Sequence, residues 1–472
     1  MNIRQVLNYA IGPIGSGLLG LISLPIITWV FNVEDVGRIS MLQVFISLAV
    51  LLFGLGLDQS YVREYYGEKN KPFLLKNAIY PTFLIFLIFT FLVISIDIRI
   101  LSKILFDISS LYLSLIILIC FISALLIRYF SLILRLQNKA LAFSMSQLLP
   151  KILVLVFVLL VAISSIDKNA DLLLSINCFA LFIGAIIYGW NTRNSWIPCI
   201  NEKLDIEKIK SLLHYGMPLF FGGFAVLGLN FIDRISLRYY SNYIELGVYS
   251  VAMTLATGVT ILASIFNTIW APTLLKWESE NRVELKKIVE ISSMLFACIY
   301  FIIVFVALFS WVIPYFLPTD YIKIKFIIMA CILGPLFYTL SEVTSIGIVL
   351  TRKIRFSLYA SLLAVINNIV LCIILVPKLG SSGAAISTSI SFWLFFVLKT
   401  SFSNMVWKHL PSIKYFILSM MLLVATIAQC YFQSTSIYYY IIWLSFLLLG
   451  LLFFKTYLIQ LLSLIKFYVI KK

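Results

Sequence analysis

Apolar runs of about 20 residues, separated by short polar breaks, recur along almost the whole chain. A helix rises 1.5 Å per residue, so a run of about 20 spans a hydrocarbon core roughly 30 Å thick. By that rule the sequence predicts about 14 transmembrane helices. They lie near 9–31, 39–58, 78–97, 109–130, 141–164, 171–190, 212–233, 244–269, 288–313, 326–350, 357–376, 383–403, 413–432 and 437–456. Only the turn "SSIDKNAD" separates the fifth from the sixth. The fold class is all-α integral membrane, with no stretch left for a separate soluble domain.

A second pattern overlies the first. "YAIGP" (9–13) opens the first run and "YGMP" (215–218) the seventh. "NVEDVGRIS" (32–40) matches "NYIELGVYS" (242–250), and "LQNKALAFS" (136–144) resembles "VLTRKIRFS" (349–357). The pieces keep their order, six helices apart. An even number of helices preserves orientation, so the pattern predicts two six-helix lobes related as parallel repeats. The lobes are 1–211 and 212–410, followed by two extra transmembrane helices and a short cytoplasmic tail, 411–472. Two such bundles with a site at their interface form a transporter architecture. The plain alternative is chance similarity among apolar segments.

Composition agrees with the pattern. Of 472 residues, 62% are hydrophobic and 12% charged, whereas about a quarter of a soluble domain is charged. A net charge of +16 would suggest nucleic acid in a soluble protein. Here Lys and Arg gather in alternate connections, for example Arg63, Lys69, Lys71 and Lys76, then Arg193, Lys203, Lys208 and Lys210, with Lys399 and Lys408 later. Basic residues are sparse in the connections between them. That asymmetry places both termini in the cytoplasm. The seven Cys form no C-x-x-C pair and lie mostly in apolar runs, so they read as packing residues without disulfide or metal. The first run lacks a small-residue cleavage site and reads as a retained span.

Charges inside spans cost about 2.5–3.5 kcal/mol each at mid-helix on insertion scales and tend to face a bundle interior or water. Lys151 lies near the middle of the fifth span, on one helical face with Ser144 and Gln147. It reads as an ammonium for an anionic substrate group, or as a boundary lysine that snorkels or is paired. Glu342 lies deep in the tenth span and suits either ion coupling or structural pairing. Asp233, Arg234 and Arg238 crowd one end of the seventh span. They either cap it in water or line the outer mouth of a cavity. Arg63 and Arg128 stand at the inner mouth. Gly- and Pro-rich stretches in the first and seventh spans permit bending or close packing. No P-loop, G-x-S-x-G or H-E-x-x-H motif occurs, so no ATP-driven engine or extramembrane catalytic domain is expected. No cofactor is expected, beyond coupling to protons or sodium ions.

Several stretches resemble a known family. They are "GSGLLGLISLPIITWVFNVEDVGRISML" (15–42), "GLGLDQSYVREYY" (54–66), "FIDRISLRYYSNYIELGVYSVA" (231–252), "IFNTIWAPTLLKW" (265–277) and "VPKLGSSGAAISTSISF" (376–392). In order and spacing they resemble the Wzx-type polysaccharide flippases of O-antigen and capsule synthesis. These belong to the multidrug/oligosaccharidyl-lipid/polysaccharide (MOP) exporter superfamily. The resemblance covers roughly residues 1–400. It implies a twelve-plus-two-helix bundle in the bacterial inner membrane that translocates an undecaprenyl-pyrophosphate-linked oligosaccharide. It also implies a polysaccharide polymerase and a chain-length regulator as partners. The competing expectations are an organic-cation antiporter of the same superfamily and a membrane polysaccharide polymerase. A deep lysine against one deep acid favours an anionic substrate.

Overall fold

The computed structural model describes residues 3–280, 284–351, 353–434 and 437–455, without the side chains of 3–10 and of a subset of residues between 221 and 279. The long helices are α1 (Ile3–Val30), α2 (Val33–Gly54), α3 (Lys71–Ile96), α4 (Leu111–Leu136), α5 (Ala140–Ile163), α6 (Ala170–Asn191) and α7 (Ile206–Tyr240). They continue as α8 (Tyr243–Ser279), α9 (Leu285–Phe309), α10 (Ile324–Thr344), α11 (Arg355–Leu379), α12 (Ser381–Val406), α13 (Ile413–Phe432) and α14 (Ile437–Phe453). Each predicted run falls on one of them. Among the described residues, 12 helices are long and apolar enough to cross a membrane, and Ile437–Phe453 is a shorter apolar helix. The predicted seventh span lies on α7, where several side chains fall outside the described residues. The protein is a multi-pass, all-helical membrane protein.

The breaks have local causes. Leu55 and Gly56 both adopt left-handed backbone after α2, with φ 45° and 72°, which turns the chain into the short helix Leu57–Glu64. Glycine accepts that conformation without a Cβ penalty. Gly56 also lies against the backbone of Gly216, where a Cβ would collide with its carbonyl. Asn70, Ser110 and Asn169 cap α3, α4 and α6 by accepting from backbone amides of the first turn.

The chain divides into two compact units, residues 1–234 and 235–472, and the division falls within α7. In unit 1, α1 packs along α5 and α4 along α6. One core cluster centres on Phe53, Phe86, Phe106 and Phe121, the other on Tyr61, Tyr129, Phe130 and Tyr188. The α2–α3, α4–α5 and α6–α7 connections meet at one end. There Asn70 donates to Glu202 at 3.0 Å, Gln137 to Ser195 at 2.7 Å, and Lys208 pairs with Glu68 at 3.0 Å. The hydrogen bond from Lys208 holds the Glu68 carboxyl below its ordinary value.

In unit 2, α10 is the central helix. It packs on α8 and α12, and on α9 and α13. Of the stretch 265–277, the described side chains include Phe266 and Trp270, whose rings stack at 5.9 Å, and Trp277, edge-on to Trp270. The last two helices share this core. Tyr415 bonds Ser293 at 2.5 Å, and Tyr300 donates to the Phe446 carbonyl at 2.6 Å.

Candidate functional site

The polar stripe on α5 runs along its contact with α1. Gly12 and Gly15 let the helices approach closely. A Cβ on Gly12 would stand 3.0 Å from Ser144 Cα, and one on Gly15 2.8 Å from Leu148 Cδ2. Small residues at such seams permit the close backbone packing that membrane helices rely on. Ser144 is buried in the seam, Gln147 is half-buried at its edge, and Lys151 is exposed. Lys151 Nζ donates to the Ser16 carbonyl at 2.8 Å. Among the described residues no carboxylate pairs with it. One bond to a carbonyl leaves two ammonium donors, so the group can take an anion without leaving its anchor.

Two arginines stand nearer the end of unit 1 where the α2–α3 and α4–α5 connections meet. Arg63, on the Leu57–Glu64 helix, is exposed and lies 3.9 Å over the Tyr215 ring. The ring holds the guanidinium without neutralising it. Arg128 differs. Its Nε and Nη2 both donate to Asp58 Oδ2, at 2.9 and 2.5 Å. Asp58 follows the left-handed turn at Gly56, and sequence reasoning did not single it out.

Unit 2 holds the other deep charge. Glu342 on α10 accepts from Lys399 Nζ on α12 at 2.6 Å. Lys399 belongs to α12 and is 7% exposed, so it is no part of a cytoplasmic charge cluster. Its ammonium lies 5.2 Å from the Phe395 ring centre and 5.8 Å from that of Tyr338, and these two rings stack on each other. The same seam carries Thr344 on Thr400 at 2.6 Å and the Gly347 amide on Ser403 at 2.9 Å.

The third cluster was missed from sequence. Glu245, in the first turn of α8, accepts from the Ser381 amide at 2.9 Å and the Ser381 hydroxyl at 2.5 Å, and pairs with Lys323. One carboxylate therefore ties together the starts of α8, α10 and α12. The signal was present in "IELG" and "KLGSSG", but it served only as repeat and family likeness. Asp233 is 1% exposed at the unit boundary, Arg234 is half-buried, and the Arg238 guanidinium lies 5.0 Å over the Tyr243 ring. Among the described residues no group of three His, Cys, Asp or Glu could hold a metal ion.

This charge pattern sits on a fold with relatives. The family model for polysaccharide biosynthesis proteins matches residues 3–278, more than half the chain, and the chain belongs to that family. The lipid II flippase MurJ, in an inward closed conformation, is 19% identical with a TM-score of 0.69, over 96% of this chain and 99% of its own. A MOP superfamily transporter from Pyrococcus furiosus Vc1, described as having reversed polarity of its binding pocket, is 16% identical with a TM-score of 0.50. That match covers 85% of this chain and 94% of that one. MATE in complex with MaL6 is 14% identical with a TM-score of 0.50, over 85% and 95%. No curated protein sequence matches the chain. At these identities the likeness shows the fold alone.

Proposed function

We propose that this protein flips an undecaprenyl-pyrophosphate-linked oligosaccharide repeat unit from the cytoplasmic to the periplasmic leaflet by alternating access. It does so in the inner membrane of a bacterium, with both termini in the cytoplasm. Family membership ties the chain to polysaccharide biosynthesis. The observation that carries the reading is Lys151, a cation well inside an apolar helix with no carboxylate counter-ion among the described residues. An uncompensated charge there costs free energy, and a diphosphate supplies the missing anion. Gln147 adds an amide beside it. Arg63, exposed and held on Tyr215, draws the diphosphate in at the cytoplasmic end. Arg128 reaches substrate only by exchanging Asp58 for it. Arg234 and Arg238 meet the diphosphate on release. Return is coupled to a proton or sodium ion, with Glu342 and Asp233 as the coupling acids, and Glu342 loads an ion by letting go of Lys399. The polymerase and chain-length regulator act on the product.

A host lacking the gene provides the test, with the lipid-linked unit quantified on each leaflet. Wild-type protein should restore outward movement. Lys151→Ala should lower the rate at least tenfold, and Lys151→Arg should keep most of it. Wild-type rates from both variants remove Lys151 from the mechanism. Normal polymer in the deletion host, with altered sensitivity to cationic drugs, overturns the flippase reading in favour of an antiporter. Unpolymerised units on the outer leaflet overturn it in favour of a polymerase.

A further inference from the structure

Glu342 is the last acidic residue in the chain, and residues 343–472 hold 11 Lys or Arg without one Asp or Glu. Lys399 is spent on Glu342. Four others, Lys353, Arg355, Lys408 and Lys414, belong to two connections that pack together at one end of unit 2. The α10–α11 connection follows the short helix Ile346–Leu350, in which the Gly347 amide donates to Ser403 near the end of α12 at 2.9 Å. Phe356, in the first turn of α11, meets Phe402 of α12 at 5.5 Å. Asn404 then holds the α12–α13 connection, accepting from the Leu410 amide at 3.0 Å and donating to Ser412 Oγ at 3.3 Å.

All four cations are exposed, and none has a carboxylate partner among the described residues. The start of α9 shares a core cluster with Leu410 through Leu285 and Ile288. It brings Glu284 and Glu290 together with Lys286 and Lys287, and Glu284 pairs with Lys287 at 3.1 Å, so it cancels its own charge. Orientation in the membrane asks only for an excess of Lys and Arg in a connection and is nearly indifferent to acids. Unit 1 shows this, because its Lys208 stands between Glu64 and Glu68. The exclusion of acids from the unit 2 patch therefore needs a further cause.

The patch also continues into an apolar surface. Leu358, Leu362 and Ile366 are exposed at four-residue steps, which keep to one face of α11. Ile354 precedes them at the same step and is 72% exposed, and Met405 and Ile413, beside Lys408 and Lys414, are 77% and 67% exposed. An acidic protein would leave that stripe uncovered. A lipid fills both parts, with its acyl chains along α11 and its phosphate among the cations. Basic clusters at the ends of membrane helices attract anionic headgroups in this way.

We infer that Lys353, Arg355, Lys408 and Lys414 form a docking surface for anionic phospholipid at the end of unit 2, independently of the substrate site in unit 1.

Full-length protein in nanodiscs of phosphatidylcholine and phosphatidylglycerol is released into the gas phase, and native mass spectrometry counts the lipids that stay bound. The patch variant carries Lys353→Gln, Arg355→Gln, Lys408→Gln and Lys414→Gln. The control carries Lys69→Gln, Lys139→Gln, Lys203→Gln and Lys210→Gln, four exposed lysines of unit 1. Unfolding midpoints in phosphatidylcholine alone check that each variant folds. If the fourfold patch variant does not, Lys408→Gln with Lys414→Gln takes its place. The wild type should retain phosphatidylglycerol in preference to phosphatidylcholine. That preference should fall about tenfold in the patch variant, persist in the control and survive Lys353→Arg with Lys408→Arg and Lys414→Arg. Equal retention of the two lipids by the wild type overturns the inference. So does an equal loss in the control, which would mark diffuse surface charge. Binding of soluble polyglutamate that depends on the patch, without any preference for phosphatidylglycerol, overturns it in favour of an acidic protein partner.

Discussion

Two lysines lie inside apolar helices and are held in opposite ways. Lys151 keeps its charge open, with one bond to the Ser16 carbonyl. Lys399 is enclosed and gives its charge to Glu342 at 2.6 Å. Breaking a buried ion pair from one side strands the other charge, at about 3–5 kcal/mol when both are fully buried. The Glu342 side chain is 33% exposed, so solvent screens part of that cost. Lys399→Met should therefore destabilise the protein by roughly 2 kcal/mol. Glu342→Gln should cost a similar amount, and the double variant less than the sum of the two. Thermal unfolding of the four proteins in one detergent closes the cycle, and additive losses would show that the two side chains do not interact. Glu342 was legible in the sequence because an acid amid apolar residues stands out on its own. Lys399 was not, because a lysine seven residues from the end of α12 reads as an interfacial charge until its partner on α10 is known. The pairing of Arg128 with Asp58 was hidden in the same way, set by tertiary contact across 70 positions of sequence.

The helices themselves were readable because their cause is local. An apolar run long enough to cross the bilayer must satisfy its own backbone hydrogen bonds, and helix is the form that does so within one segment. What joins helix to helix was less readable, and Glu245 shows why. Its two partner residues, Lys323 and Ser381, stand at the starts of α10 and α12, so nothing near Glu245 in sequence announces them. Gly380, the residue before α12, has φ +56°, and a Cβ there would stand 2.7 Å from Glu245 Oε2. Glycine is needed twice over, for the backbone angle and for the space. Gly383 plays the neighbouring part, where a Cβ would press 2.5 Å from the Leu375 carbonyl and force α11 away from α12. Gly380→Ala and Glu245→Ala should each lower stability by about 2 kcal/mol. Because the first acts partly by displacing the carboxylate, the pair should lose clearly less than the sum. Unfolding midpoints in detergent would measure this, with Gly54→Ala as the control, since a Cβ on Gly54 meets nothing within 4 Å. An equal loss from Gly54→Ala would mean that the effect is general helix chemistry and not the clamp.

Across the molecule, the arrangement of connections within each unit turns charge into orientation. In unit 1, Arg63, Lys71, Lys76 and Lys208 belong to the end where Lys76 Nζ donates to the Ile200 carbonyl at 2.9 Å and Lys208 bridges Glu64 and Glu68. The opposite end holds the 97–110 connection, where Ser102 and Ser110 bond each other, and the Asp35–Arg38 pair at 3.0 Å. The first end carries the greater share of the basic residues, and several of its lysines are committed to carbonyls that shape the connections. Positive charge in short connections resists translocation during insertion, so that end should face the cytoplasm. A reporter that folds only in the cytoplasm, fused after Lys203, should be active. The same reporter after Lys168, in the turn between α5 and α6, should be silent, and a periplasmic phosphatase should give the reverse. The second unit extends the argument, since Lys323 is spent on Glu245 at the end where α8, α10 and α12 begin. A lysine bound in this way contributes less free charge to orientation than its count suggests. Fusions after Gln433 and after Lys408 should then report outside and inside respectively. If Lys203 and Lys408 gave opposite results, the helices from α7 to α12 would not all cross the membrane, and the expectation that both termini lie in the cytoplasm would fail.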